Sequence, residues 1–255
     1  MKNLTIIIPV GTLQGESDIE LLKRAVGSAG NNKTIVVGPT ETINSLKGQN
    51  IGDVILLENK GGDTSYPGNV MYALGEVQTD YFSPLEYDDE YTGIWFDNVE
   101  KYMAHEGIGT FAYLPLTEVV DYETKKHIGY ANEAVWASSF SDEIGCYDIQ
   151  AMTYYMGFNV SGGVFRKDAF IAMGGLKTSM KMMYWYEFML RALYKEKRIF
   201  VIPKVGCLHT VNRPGGLTDT QSRTIDEKEA DWWIELSKQE YFFPQDRNKQ
   251  YATEE

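Results

Sequence analysis

Residues 59–91, NKGGDTSYPGNVMYALGEVQTDYFSPLEYDDEY, run through a loop of glycines and small residues, a helix, a strand and an acidic turn, in that order. Pro67 stands near the start of residues 66–77, where its fixed φ suits the first turn of a helix. Residues 81–85 then read as a short buried strand, and Glu86, Tyr87, Asp88, Asp89 and Glu90 follow in one extended run. Upstream the same alternation repeats. Residues 4–10 (LTIIIPV) form a β-branched run of strand length, followed by Gly11 and Gly15 and then by a helix signal. Ser17 with Glu20 three residues later is a capping box, and Ile19, Leu22 and Val26 share one helix face. Residues 34–37 and 53–57 read as further strands, with a short helix over 40–47 between them. Short apolar strands separated by helices imply an α/β protein with a mostly parallel central sheet flanked by helices on both faces.

Beyond residue 115 the alternation stops. Residues 113–122 and 126–136 look extended without an intervening helix, helices are expected over 149–156, 167–173 and 183–195, and a strand pair over 198–202 and 205–210. A Gly/Pro loop and a last helix over 224–239 follow. The chain therefore divides within one domain into a first half, 1–115, that looks nucleotide-binding, and a second half of smaller mixed structure, 116–255, that holds something else.

With 24 Lys+Arg against 36 Asp+Glu the net charge is -12, a field that repels phosphate polymers and anionic lipid unless basic residues cluster locally. Lys177, Lys181, Lys195, Lys197 and Arg198 are the residues available for such a rim. Two cysteines and three histidines supply neither a disulfide framework nor a Cys/His zinc cluster. The opening apolar stretch is too short for a signal peptide and no window has the length of a membrane span, so a cytoplasmic protein without a membrane-spanning segment is expected. Neither G-x-G-x-x-G after the first strand nor a G-x-x-x-x-G-K-[ST] loop is present, which argues against a dinucleotide-binding domain and a P-loop nucleotidase.

In an open parallel sheet ligands bind beyond the carboxyl ends of the strands. There, Glu86 to Glu90 offer hard oxygen donors that suit Mg²⁺ or Mn²⁺, although a solvated acidic turn explains the same residues. Strand alternation separates Glu86 and Asp88 from Tyr87 and Asp89.

Residues 59–91 as a whole resemble the family 2 glycosyltransferases of GT-A fold, whose corresponding region ends in an Asp-x-Asp-Asp type motif. LTIIIPV is similar to that family's first strand, residues 161–176 (SGGVFRKDAFIAMGGL) to its acceptor-side segment, and Glu187 to Arg191 with residues 198–203 (RIFVIP) to its catalytic helix and next strand. The resemblance implies a metal-dependent, inverting transferase that moves a sugar from a nucleotide diphosphate donor, with a UDP-sugar expected. The acceptor hydroxyl would belong to a glycan or to a modified nucleic acid such as a hydroxylated base. It places the metal, Mn²⁺ or Mg²⁺, on Asp88 with Asp89 beside it and on His209. The donor falls to Pro9, Gly11, Thr12, Asn59, Asn69, Glu86 and Tyr87, and to Arg213 within a Gly-rich segment, 209–220, expected to close as a lid.

The sequence departs from the family at four points. Glu86 replaces an aspartate, Gly38 stands where an aspartate reads uracil, Gly68 stands where an arginine precedes Asn69, and Trp185 occupies the position of the catalytic aspartate. Glu187 is then the remaining carboxylate ahead of Arg191 on that helix. It is either the catalytic base or a partner of Arg191 in a surface ion pair, with Asp142 and Asp148 as upstream alternatives. One of Tyr184, Trp185 and Tyr186 is expected as a stacking platform for the sugar or base, and Trp232 and Trp233 as packing. A silent nucleotide-sugar-binding module and a nucleotidyltransferase are the alternative functions.

Overall fold

The computed structural model describes residues 1, 3–106, 110–133, 145–147 and 149–242. The first half alternates as its sequence requires: β1 (Leu4–Pro9), α1 (Glu16–Ser28), β2 (Lys33–Gly38), α2 (Thr40–Leu46), β3 (Ile55–Glu58), α3 (Tyr66–Leu74) and β4 (Tyr81–Pro84). After β5 (Glu90–Tyr91) and α4 (Trp95–Glu106) come the long β6 (Thr110–Asp121), β7 (His127–Ala131), β8 (Gly145–Cys146) and α5 (Ile149–Tyr154). The chain continues through β9 (Val164–Arg166), α6 (Lys167–Ala172), α7 (Tyr184–Tyr194), β10 (Arg198–Val211), α8 (Leu217–Thr224) and α9 (Glu227–Phe242). All of these strands join one sheet of order β3-β2-β1-β4-β9-β6-β10-β5, with β7 on β6 and β8 on β10. β3, β2, β1 and β4 run parallel, as do β6 and β10, while β9 enters antiparallel between β4 and β6. One sheet thus crosses the division at residue 115.

β1 shows why the pattern folds this way. Every one of its side chains is buried, and alternation sends Ile7 to one face and Ile6 and Ile8 to the other. On Ile7's face, Phe82, Phe165, Phe170, Trp185 and Phe188 pack beneath α3 and α7; on the opposite face, Leu22 and Val26 of α1 pack with Trp95 and Ile202.

Four local expectations are corrected. The capping box does not form: α1 begins after Gly15, at φ 115°, and the N–H of Gln14 is taken by Asp18 Oδ2 at 2.8 Å. The strand pair around residue 203 is one strand, β10, that bulges between Ile202 and Cys207 and follows β6 along its length. Gly206 allows this, because a Cβ there would lie 2.2 Å from the Trp95 ring. The last helix, expected over 224–239, is Glu227–Phe242, with Asp226 accepting the Glu229 N–H at 2.9 Å, and an additional helix, α8, precedes it after the Gly/Pro loop. The helix over 66–77 ends at Leu74. Asp142, Asp148 and Trp136 lie outside the described residues.

A candidate donor site at the ends of β1 and β4

Parallel pairing brings the C-terminal ends of β1 and β4 side by side, and beyond them opens a cleft of about 350 Å³. Pro9, Gly11 and Thr12 line it from the β1 side, Asn69 from α3, Glu86, Tyr87 and Asp88 from the acidic turn, and Arg213 from the loop after β10. These residues, chosen from sequence, therefore share one cavity. Asn59 does not line it. It stands behind Asn69, donating to its Oδ1 at 2.8 Å and to the Asp63 carbonyl at 2.6 Å, while Asn69 donates to the Thr64 carbonyl at 3.0 Å. The two asparagines hold the turn that leads into α3, whose N-cap Ser65 accepts the Gly68 N–H at 3.2 Å.

The two glycine departures have steric causes. A Cβ on Gly68 would lie 2.5 Å from the Asp63 carbonyl oxygen, and a Cβ on Gly38 would lie 2.5 Å from the Val10 carbonyl oxygen. Neither the arginine nor the aspartate of the resembling family fits unless the backbone moves. Gly38→Asp is accordingly expected to cost about 1–3 kcal/mol of stability without tightening uridine nucleotides, as urea denaturation and UDP titration would show.

The carboxylates of the acidic turn separate into two arrangements. Asp88, 8 % exposed, is held by Arg213, whose Nε donates to it at 2.6 Å. Arg213 also bonds Asp18 Oδ1 through Nη1 at 3.1 Å and the Tyr87 hydroxyl through Nη2, and its guanidinium lies over the Tyr87 ring. Asp89, fully buried, turns the other way: His209 Nδ1 lies 3.0 Å from both its oxygens, and the Thr210 N–H donates to Oδ1 at 3.0 Å. Glu86, Asp89 and His209 place one ligand atom each within 4.8 Å of one another. Of the residues expected to hold the metal, Asp89 and His209 group with Glu86, whereas Asp88 is bonded to Arg213.

Charge accumulates at this point. Burial, then Asp89, pushes the Glu86 carboxyl up to about 8. Burial acts to lower the His209 imidazole, but Asp89, Glu86 and Asp88 outweigh it and raise it to about 10. Two carboxylates and an imidazole gathered this closely form a donor set suited to a borderline divalent cation such as Mn²⁺. The residues fit the metal that the fold implies.

The segment expected as a mobile lid is seen against the cleft. His209 to Val211 belong to β10, Arg213 is 6 % exposed, and Leu217 and Thr220 of α8 line the cavity.

Glu187 is not brought to the cleft. It is 1 % exposed; Arg191 Nη2 bonds its Oε2 at 2.7 Å and Nε its Oε1 at 3.1 Å, with Lys177 Nζ 3.7 Å away. The surface ion pair read from the i,i+4 spacing is therefore a buried one. Tyr184, Trp185 and Tyr186 are all buried, with Trp185 stacked on Phe165, so none is the expected platform. Two aromatic residues line the cleft, Tyr87 beneath Arg213 and Tyr66, the latter stacked on Tyr184 at 5.5 Å. The Tyr66 hydroxyl has no hydrogen-bond partner among the described residues. Tyr66, Gln14 and Asp18 are the residues that sequence reasoning missed. Of these, Tyr66 at the start of a helix after the Gly-rich loop carried a readable signal.

No family model matches the chain, and no curated protein matches it. Solved structures do. S. aureus TarS 1-349 superposes with a TM-score of 0.60 at 11 % identity, covering 82 % of this chain and 60 % of that one. The same fragment in complex with UDP-GlcNAc gives 0.58 at 14 % identity over 86 % of this chain and 61 % of that one, and in complex with UDP 0.59 at 14 % identity over 83 % and 61 %. The chain spans about 60 % of that fragment's length. Among the described residues, no helix is long and apolar enough to cross a membrane. At these identities the likeness is one of architecture, and it shows that this sequence has a GT-A type fold.

Proposed function

We propose that the protein is a glycosyltransferase that takes a sugar from a nucleotide diphosphate donor, a UDP-sugar in the first instance, and passes it to an acceptor hydroxyl with inversion. The observation that carries this reading is the single cleft at the ends of β1 and β4. It collects Pro9, Gly11, Thr12, Asn69, Glu86, Tyr87, Asp88 and Arg213 at the place where open α/β sheets bind ligands. The comparable TarS fragment has been solved with UDP and with UDP-GlcNAc.

In this reading Tyr66 offers a flat apolar face to the base or sugar, and the turn held by Asn59 and Asn69 shapes the wall beside it. Glu86, Asp89 and His209 would hold Mn²⁺ or Mg²⁺, which supplies positive charge to the departing diphosphate. Arg213, already oriented by Asp88, Asp18 and Tyr87, is placed to add a guanidinium to the same oxyanions. The carboxylates of the acidic turn face the leaving group, so an in-line displacement needs another proton acceptor on the opposite side of the sugar. Glycan and modified nucleic acid remain the two acceptor classes of this proposal.

A specific observation favours a second reading, a nucleotide-sugar-binding module without transfer. Position 185 carries a core tryptophan, and Glu187 is tied to Arg191. A thermal-shift screen of UDP and UDP-GlcNAc with and without Mn²⁺, paired with a donor-hydrolysis assay, tests both. A ligand at a hundred times its Kd is expected to stabilise by about 2.7 kcal/mol. Stabilisation with hydrolysis supports the enzyme, stabilisation without turnover the module, and no shift with any nucleotide sugar removes both.

A further inference from the structure

A second concavity, of about 540 Å³, lies between the 177–181 loop, α7 and α9, and is lined by Lys177, Thr178, Ser179, Met180, Glu187, Trp232, Trp233 and Leu236. Its size falls within the range of about 300–1,000 Å³ of small-molecule sites. One wall is an aromatic ring that the fold presents to solvent. Trp232 is 56 % exposed, whereas its neighbour Trp233 is buried. The expectation that both would serve as packing holds for Trp233 alone. The two rings meet edge to face with centroids 4.6 Å apart, and Trp233 Nε1 donates to Glu229 at 3.3 Å. Glu229 in turn pairs with Lys181 at 2.7 Å, fixing α9 to the loop. Trp232 is therefore held against a braced neighbour in the lining of a concavity that also presents Thr178, Ser179 and, as its charged floor, the Lys177–Glu187 ion pair.

The 177–181 loop is joined to α8, whose Gln221 donates to the Lys181 carbonyl at 3.1 Å. α8 also lines the cleft, through Leu217 and Thr220. The 177–181 loop thus lines the groove and is tied to a helix that lines the cleft.

We propose that this groove binds a pyranose unit of an acceptor glycan, stacked on the exposed face of Trp232. The chemistry is complementary: the C–H face of a pyranose matches a flat apolar ring, and its hydroxyls match Thr178, Ser179 and the charged floor. A lone exposed hydrophobic residue on a surface has no such meaning. Here the ring is braced, concave surroundings supply polar partners, and the bordering loop is tied to a helix of the cleft. The inference rests on the glycosyltransferase reading for its acceptor role, not for the binding itself.

The full chain, wild type and Trp232→Ala, is probed on an array of neutral and anionic glycans that also carries hydroxymethylated DNA, with UDP binding followed separately by thermal shift. Wild type is expected to bind a set of pyranose glycans, and Trp232→Ala to lose about tenfold or more in apparent affinity. Trp232→Phe is expected to retain most of the binding, and both variants the wild-type melting temperature and UDP shift. Equal glycan binding by Trp232→Ala overturns the proposal. So does wild type that binds UDP but no glycan, or hydroxymethylated DNA alone. Trp232-dependent glycan binding with no UDP shift leaves the groove standing and removes the donor reading instead.

Discussion

Glu187→Ala is expected to lower the melting temperature by roughly 6–20 °C while leaving the UDP affinity of the folded protein unchanged. Removing one member of a buried pair costs about 3–5 kcal/mol because the remaining charge is stranded. In a domain of this size each kcal/mol corresponds to about 2–4 °C. The stranded group would be Arg191, 3 % exposed, which also donates to the carbonyls of Met173 and Gly175 at 2.8 Å for the latter. Through these bonds the pair anchors the Gly174–Gly175 turn, where both residues have positive φ and a Cβ on Gly175 would strike Met71. Glu187 therefore acts, in our reading, as a structural carboxylate. Thermal denaturation of Glu187→Ala beside Glu187→Leu/Arg191→Met separates the roles, since replacing both charges is expected to cost less than removing one. A Glu187→Gln protein of wild-type stability that loses about 10²–10⁴ in turnover would restore it as the general base.

The contrast between Glu187 and Glu86 shows what a sequence transmits. The succession of strands and helices from β1 to β4 was legible because each strand is a short apolar run and the helices supply apolar faces, as Leu22 and Val26 do. The cleft was legible too, because its position follows from the topology of parallel strands and its residues sit just beyond strand ends. What was not legible depends on contacts between distant parts of the chain. Arg213 meets Asp18 across 195 positions and Asp88 across 125, and no local pattern tells which carboxylate an arginine will choose. Helical spacing announced the Glu187 to Arg191 pair but not its burial, which comes from α6 and α9 packing around α7. The split of the acidic turn has the same origin. Alternation alone sets Asp88 and Asp89 apart, and β10, arriving from the far end of the chain, brings His209 to one and Arg213 to the other.

The final expectation concerns the cation and the protons it displaces. At pH 7 the apo site holds a proton on Glu86, whose carboxyl is raised to about 8, and a full imidazolium on His209, raised to about 10. Both groups bind a metal only after giving a proton up. Mn²⁺ affinity should therefore rise with pH, by about tenfold per pH unit for each proton released, which for two protons approaches about ten-thousandfold between pH 6 and pH 8. The stability of the apo protein should move the opposite way. Groups whose folded pKa lies above the unfolded value bind more protons when folded, so Glu86 withdraws stability as pH rises from about 4.5 to 8 and His209 from about 6.5 to 10. Raising the pH thus weakens the empty site and strengthens the loaded one, and the stabilisation by Mn²⁺ should grow across that window. Calorimetric titration of Mn²⁺ in buffers of different ionisation enthalpy counts the protons, and thermal shift at pH 6, 7 and 8 gives the trend. In Asp89→Asn the imidazole loses its strongest partner, so its proton comes off near the ordinary histidine range and the pH dependence of Mn²⁺ binding flattens along with a weaker affinity. Proton release of zero and an affinity independent of pH in the wild-type protein would remove Glu86 and His209 from the metal site and leave Asp88, freed from Arg213, as the ligand to test.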